Sequence, residues 1–306
     1  MAIVVVGAAF VDIKGFPFNT YIPKGRNAGN VEMVHGGVGR NVVEDIANVE
    51  LPTRFVGMVD KTDIGTAVKT KLGKHKVDTD YMIEVDDGLG MWLAVFDETG
   101  DLVGAISKRP NMDAMIELLR EKGDEIFKDA DSIIIEIDIH KEIVKQVFQY
   151  AQKYNVPIYA VVANMSIASE RRDLIKLTDC IVCNELEAEI LFVKELATLE
   201  PDVLAAELST LLKSAGIKSM VVTLGARGSV YADNQGNYGH CPPHNVVVRD
   251  TTGAGDSFFA GVAIGLTYHK TLAEACQIGT RLAASVITSA ENVCPRFLPE
   301  EFGITL

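Results

Sequence analysis

Five short, nearly uninterrupted apolar runs recur along the chain, at residues 3–6, 132–137, 158–162, 180–183 and 220–224. A strand with one wet face alternates apolar and polar residues, whereas a strand covered on both faces does not, so these runs predict buried parallel strands. Between them, Lys141–Tyr154 places Ile143, Val144, Val147, Phe148 and Ala151 three or four positions apart, the spacing of one helix face. Strands separated by helices predict a doubly wound α/β fold, with a mainly parallel sheet and helices on both faces. Two segments break the rhythm. Residues 91–97 and 102–107 read as strands around the turn Glu98-Thr99-Gly100-Asp101, a β-hairpin, and residues 14–34 are rich in Gly, Pro and Asn with no helical period. Inserted into one α/β domain spanning 1–306, the stretches 14–34 and 90–108 read as a small β lid that closes over a substrate. The alternative is a surface excursion without a part in chemistry.

Charge narrows the function classes. With 42 acidic against 29 basic residues, the 306-residue chain carries a formal charge of -13, which repels nucleic-acid phosphates and anionic membrane surfaces. The apolar N-terminus has no basic segment before it, unlike a secretory signal, and the longest later apolar stretch, 258–266, is about half of the ~20 residues needed to span a bilayer. No nucleic-acid or membrane partner is expected, and the location expected is cytoplasmic. The five cysteines are scattered. Cys180 and Cys183 match C-x-x-C, but without a second pair or a histidine pair, inside a strand-like run, they read as buried core thiols.

The chemistry concentrates in residues 249–263, RDTTGAGDSFFAGVA. Asp250 to Asp256 contains no bulky side chain, and residues 257–270 continue as an apolar helix with small residues suited to close packing. Gly253-Ala254-Gly255 would then stand at a helix N-terminus, where unpaired N–H groups and the helix dipole favour an anion, phosphate above all. Asp256 beside it, held charged by the dipole against an ordinary pKa of ~3.9, is expected ionised and able to accept a proton from an attacking hydroxyl. A helix cap with a tight turn is the competing reading.

DTTGAGDSFFAG resembles the C-terminal signature of the PfkB, or ribokinase-like, carbohydrate kinases. His35-Gly36-Gly37-Val38-Gly39-Arg40-Asn41, followed by a helical segment, resembles their N-terminal Gly-Gly signature, and the resemblance extends over nearly the whole chain. It implies ATP-dependent phosphorylation of a primary hydroxyl on a sugar or nucleoside, with Asp256 as base and Gly253, Ala254 and Gly255 as anion hole. It also implies that Asp12, placed at the end of the first strand, binds acceptor hydroxyls together with Gly36, Gly37 and Asn41, and that Asp138 is a further acceptor contact. Asn184 and Glu187 resemble the family's N-x-x-E motif, which helps hold Mg2+ through water; read alone, they form an N-cap and a first-turn acid. Thr223, Gly225 and Gly228 resemble the loop that approaches ATP, and Asp250 and Thr252 match positions whose carbonyls bind K+ in ribokinase.

Within the family, Gly-Gly-Val-Gly-Arg-Asn and the lid strand around Leu93 look most like pseudouridine kinases, and Val38 stands where ribokinases usually have lysine. The 5′-hydroxyl of pseudouridine is the expected acceptor, with ribose, fructose or another nucleoside as alternatives and a catalytically silent ligand-binding regulator as the reading from another class. Residues 107–113 and 164–169 depart from the pseudouridine pattern, and Arg109 within them reads as a solvated surface charge. A dinucleotide-dependent oxidoreductase is disfavoured, because Gly7-Ala8-Ala9 lacks G-x-G-x-x-G. The exposed edges of a lid suggest a homodimer formed through it.

Overall fold

A computed structural model describes residues 2–162 and 164–305. Strand β1 (Ala2–Val6) leads into two strands of a separate small sheet, β2 (Phe10–Pro17) and β3 (Gly29–Gly36), then into α1 (Val38–Asn48), β4 (Thr53–Asp60), α2 (Asp63–Lys74) and β5 (Met82–Val85). Strands β6 (Gly90–Phe96) and β7 (Leu102–Lys108) complete the small sheet. Helices and strands then alternate as α3 (Asp113–Phe127), β8 (Ala130–Glu136), α4 (Lys141–Tyr154), β9 (Ile158–Val161), the short α5 (Met165–Ser169) and α6 (Arg172–Ile175), and β10 (Cys180–Asn184). After α7 (Glu185–Phe192), α8 (Pro201–Ala215) and β11 (Ser219–Thr223) come β12 (Ser229–Asp233), β13 (Tyr238–Cys241), α9 (Ala254–Thr267) and α10 (Leu272–Ile287).

Nine strands form the main sheet, in the order β13-β12-β11-β10-β9-β8-β1-β4-β5. Every pair from β11 to β5 is parallel, and β12 and β13 run antiparallel at one edge. The apolar runs have the cause expected of them. Ile3 and Val5 bury against Val42, Ile46, Phe259 and Leu282 on one face, while Val4 and Val6 bury against Met115, Leu119 and Val144 on the other. Each such side chain contributes about 1.5–3 kcal/mol when fully buried, so a strand covered on both faces selects against polar residues at every position. All five cysteines are free and buried; burial pushes the Cys180 thiol up to about 12 and that of Cys183 well above its ordinary value, which suits core residues and not a redox pair. Among the described residues no helix is long and apolar enough to cross a membrane.

Strand β1 lies between β4 and β8, so the chain leaves it toward one side of the sheet and later returns on the other. A crevice opens at such a switch point beyond the C-terminal strand ends, the usual ligand site of an open α/β sheet. Over this region stands the small sheet, ordered β3-β2-β6-β7. The hairpin expected over 91–107 is present as β6 and β7, but the sheet begins at Phe10, earlier than the expected residue 14. Asp12 is consequently not at the end of the first strand, which stops at Val6; it lies inside β2, opposite Val34 and Trp92. The period-2 pattern of residues 10–17 is blurred by Gly15 and Pro17 and by a sheet only partly buried on both faces. The two faces of this sheet differ sharply. Asp12, Trp92 and Ser107 share one; Met33, Ile13, Leu93 and Ile106 form a continuous cross-strand row on the other, where Met33 and Ile106 are exposed. The single-domain reading spanned 1–306, of which Met1, Ala163 and Leu306 lie outside the described residues.

Candidate active site

Helix α9 starts at Ala254, capped by Gly253 at a φ of 81°. That left-handed value favours glycine, and a Cβ here would come within 2.0 Å of the Asn292 carbonyl oxygen, so no larger residue fits. At Gly255 a Cβ would meet nothing within 4 Å, which leaves the N-terminal turn open to a ligand. Asp256 follows in the first turn and accepts a hydrogen bond from Asn41 Nδ2 at 2.6 Å. Its carboxyl differs from expectation. Loss of solvent pushes its pKa up to about 6, Asp12 adds to the rise, and the Asn41 hydrogen bond and the Arg40 charge only partly offset it. Desolvation is the largest of these effects.

The N-terminus of α1 faces this turn. Gly36 ends β3 directly beside Asp12: a Cβ on Gly36 would lie 2.4 Å from Asp12 Oδ2. Gly37, at a φ of 95°, packs against the Ala8 carbonyl. Arg40 is wholly buried. Its guanidinium donates to the His35 carbonyl, to Glu44 and to Asn41 Oδ1, and its Nε reaches the Gly36 carbonyl at 3.3 Å. Asn41 Oδ1 also accepts from Asn292 Nδ2 at 3.4 Å. With its oxygen taken by donors, the Asn41 amide must present its nitrogen to Asp256. Glu44 is buried as well; burial raises its pKa, but Arg40 and Lys71, the latter at 3.0 Å, outweigh this and hold it below the ordinary value. Burial likewise raises Asp12, with Lys14 and Arg40 pulling the other way.

The end of β8 supplies the third wall. Glu136 points beneath the crevice, where its Oε1 accepts from Ala8 N at 2.9 Å and Gly39 N at 2.7 Å. Gly7 and Gly39 are bare because a Cβ on either would strike that oxygen, at 2.3 and 2.6 Å. Burial, reinforced by Asp138 and Asp256, lifts the Glu136 pKa to about 8 against the pull of the two N–H groups. Asp138 is buried and pairs with Arg109, whose Nη2 lies 3.1 Å from Oδ2 and whose Nη1 donates to the Asp138 carbonyl at 3.2 Å. Arg109 is exposed, as its sequence context suggested, but its guanidinium also reaches back to the buried Asp138 side chain after β8.

These walls enclose a pocket of about 1050 Å³. Of the residues singled out from sequence, Asp12, Gly37, Asn41, Asp138, Thr252, Gly253 and Asp256 line it, joined by Phe10, Trp92, Arg109, Glu136 and Arg171. Asn184, Glu187, Thr223, Gly225 and Gly228 lie outside it, at and just beyond the ends of β10 and β11. Asn184 and Glu187 form a reciprocal capping box, Asn184 Oδ1 accepting from Glu187 N at 2.9 Å and Glu187 Oε2 from Asn184 N at 2.8 Å, and the Glu187 carboxyl still feels the charge of Asp138. Gly225 is open to a ligand, whereas a Cβ on Gly228 would strike the Cys241 carbonyl at 2.2 Å. Asp250 Oδ1 accepts from Thr252 N at 2.8 Å, which shapes the loop before the Gly253 turn. Sequence reasoning missed Arg40 and Glu136. The signals were a cation inside the Gly-Gly motif and a lone acid inside a doubly apolar run.

Residues 2–293 match the model of the pfkB family carbohydrate kinases. A guanosine-inosine kinase of Exiguobacterium acetylicum is 34% identical over 95% of this chain and 95% of its own length. A pseudouridine kinase of Escherichia coli is 27% identical over 85% of this chain and 82% of its own. In fold, Arabidopsis thaliana ribokinase complexed with ribose and ATP superposes with a TM-score of 0.80 at 24% identity, covering 97% of each chain.

Proposed function

Because this chain belongs to the PfkB family of carbohydrate kinases, and is a sugar or nucleoside kinase, we propose that it uses ATP to phosphorylate the 5′-hydroxyl of a nucleoside, with guanosine and inosine as lead acceptors. The observation that carries this reading is the pocket that joins Asp256 and Asp12 to Arg109 and Trp92 in one cavity of about 1050 Å³. A free pentose would leave most of that space empty. Trp92 and Phe10 offer apolar faces to a planar base. An Arg guanidinium is well matched to the adjacent O6 and N7 acceptors of a 6-oxopurine, and the relative sharing 34% of its residues bears the name of such a kinase. Pseudouridine, the acceptor suggested by the lid sequence, is the second reading, supported by the relative of that name at 27% identity.

In this reading Asp256 accepts the proton of the 5′-hydroxyl as its oxygen bonds to the γ-phosphorus, and the bond to the β-phosphate oxygen breaks with its electron pair leaving on ADP. Asn41, locked by Arg40, fixes the carboxylate; Gly253 to Gly255 present N–H groups to the phosphoryl oxygens. Asp12 and the bare backbone at Gly36 and Gly37 bind ribose hydroxyls, and Asp138, anchored by Arg109, is a further acceptor contact. Thr223, Gly225 and Gly228 form the ATP-side loop. Magnesium, when bound, neutralises phosphate charge. An amide and a carboxylate at the start of α7, with Glu187 Oε2 taken by Asn184 N, suit contact with it through water. Potassium near Asp250 and Thr252 would show as higher activity in potassium than in choline buffer. The apolar outer row of the lid suits a homodimer.

The test is ATP consumption with guanosine, inosine, adenosine, uridine, pseudouridine, ribose, fructose and fructose phosphate in parallel. Guanosine and inosine are expected to give the highest kcat/KM. Turnover confined to pseudouridine would move the base assignment, and turnover on ribose alone would remove the nucleoside reading.

A further inference from the structure

Lys14 is the feature of the lid that the kinase reading leaves unexplained. It lies two residues beyond Asp12 on β2 and therefore on the same face of the strand. Glu32 stands directly across from it on β3, and lysine with glutamate is a favourable cross-strand pair, yet the two form no ion pair. Instead the side chain extends away from the lid toward the core. Its opposite neighbour on β6 is the small, fully buried Ala94, and the residue is 8% exposed. Among the described residues its ammonium hydrogen-bonds one polar atom, Thr252 Oγ1, at 3.5 Å. Among the described residues Lys14 has no carboxylate within ion-pair distance, although Asp12 and Asp250 both feel its charge.

A buried ammonium with one marginal hydrogen bond is costly, because lysine carries three donors and loses its hydration when covered. Sequences retain such a group where a ligand completes its coordination. Here the missing partner must be an anion. Thr252 immediately precedes Gly253, the cap of α9, so the ammonium stands at the open helix N-terminus where first-turn N–H groups have no intrahelical partner. We propose that Lys14 is a catalytic residue: a lid-borne cation that binds the phosphoryl group held at Gly253 to Gly255 and neutralises the charge that develops on its oxygens during transfer. Asp256 alone takes the acceptor proton. Placement on the Asp12 strand has a mechanical result, since the same strand that grips the acceptor carries the charge to the phosphate. Both reach the reacting atoms together.

The inference rests on the anion-hole reading, and the experiment separates the two. Inorganic phosphate is titrated calorimetrically into the protein without nucleotide or metal, for wild type, Lys14→Met and Lys14→Arg, alongside kcat and acceptor KM. Wild type is expected to bind phosphate; Lys14→Met to bind it at least tenfold more weakly and to lose at least a hundredfold in kcat with acceptor KM changed less than threefold. Lys14→Arg, which keeps the charge, is expected to retain phosphate affinity within about threefold. Equal phosphate affinity in wild type and Lys14→Met would overturn the role of Lys14 alone. Loss of binding in the arginine variant equal to that in the methionine variant would do the same, because charge would not then be what matters. No phosphate binding by wild type would overturn the anion hole, and Lys14 with it.

Discussion

Asp256 shows at the scale of one residue why local rules do not suffice. Helix position alone argues for an acidic carboxyl, but removal from water moves its pKa to about 6. As the proposed base it must be ionised to work, so kcat/KM is expected to fall as pH drops through about 6, and Asp256→Asn should lose about 10²- to 10⁴-fold in kcat while still binding ATP; near-normal turnover would reassign the base. Arg40 supports it at one remove. Arg40→Met takes one cation from the buried Glu44, which keeps Lys71 at 3.0 Å, so the expected cost is below the about 3–5 kcal/mol of a wholly unpaired buried charge, and the double change Arg40→Met with Glu44→Met should recover part of it. Denaturation should thus separate the two variants, yet both are expected to have low kcat and an acid limb shifted to higher pH, because the Arg40 charge that lowers the Asp256 pKa is gone from each. Neither Arg40 nor the pairing of Arg109 with Asp138 could be read from spacing. Arg40 does sit four positions before Glu44 on α1, but its burial against Asp256 and the pairing of Arg109 with Asp138, 29 positions apart, arise only where elements meet.

Elements were more legible than residues wherever both faces are covered. The runs at 3–6 and 180–183 and the helix Lys141–Tyr154 follow from burial patterns that leave little choice. Strand β2 was hidden because a partly buried lid strand exposes mixed residues on both sides, and β12 and β13 because nothing in a short apolar segment tells a parallel neighbour from an antiparallel one. The tight turn at the start of α9 was legible as a run of glycines, but not that Gly253 is demanded by its backbone while Gly255 faces open space. Gly253→Ala forces a side chain into left-handed backbone against Asn292, at an expected cost of about 1–3 kcal/mol, and should reduce both melting temperature and activity. Gly255→Ala enters open space and should melt within about 0.5 kcal/mol of wild type while losing turnover. If Gly255→Ala kept full activity, no ligand approaches that turn.

For the molecule as a whole, three buried carboxyls, Glu136, Asp45 and Asp256, have native pKa values raised to about 8, 7 and 6. A carboxyl that holds its proton more tightly when folded stabilises the native state at low pH and loses that contribution as pH rises toward its native pKa. Melting temperature is therefore expected to fall between about pH 5 and 8, and Glu136→Gln, which cannot ionise, should flatten the decline by on the order of a few degrees; an unchanged slope would mean Glu136 is not a source of it. On the outer lid, Ile106→Glu should turn a dimer into a monomer by light scattering, and a wild-type monomer would remove the lid interface. The pocket also divides along the chain. Groups proposed to choose the acceptor come from residues 10–41, 92–113 and 136–171, and those proposed to deliver phosphate cluster at 184–256, with Lys14 as the bridge. Such a partition lets acceptor preference shift through the first group alone, so long as Lys14, Arg40 and Asn41, which face Thr252 and Asp256, are kept: a change of diet without a change of chemistry.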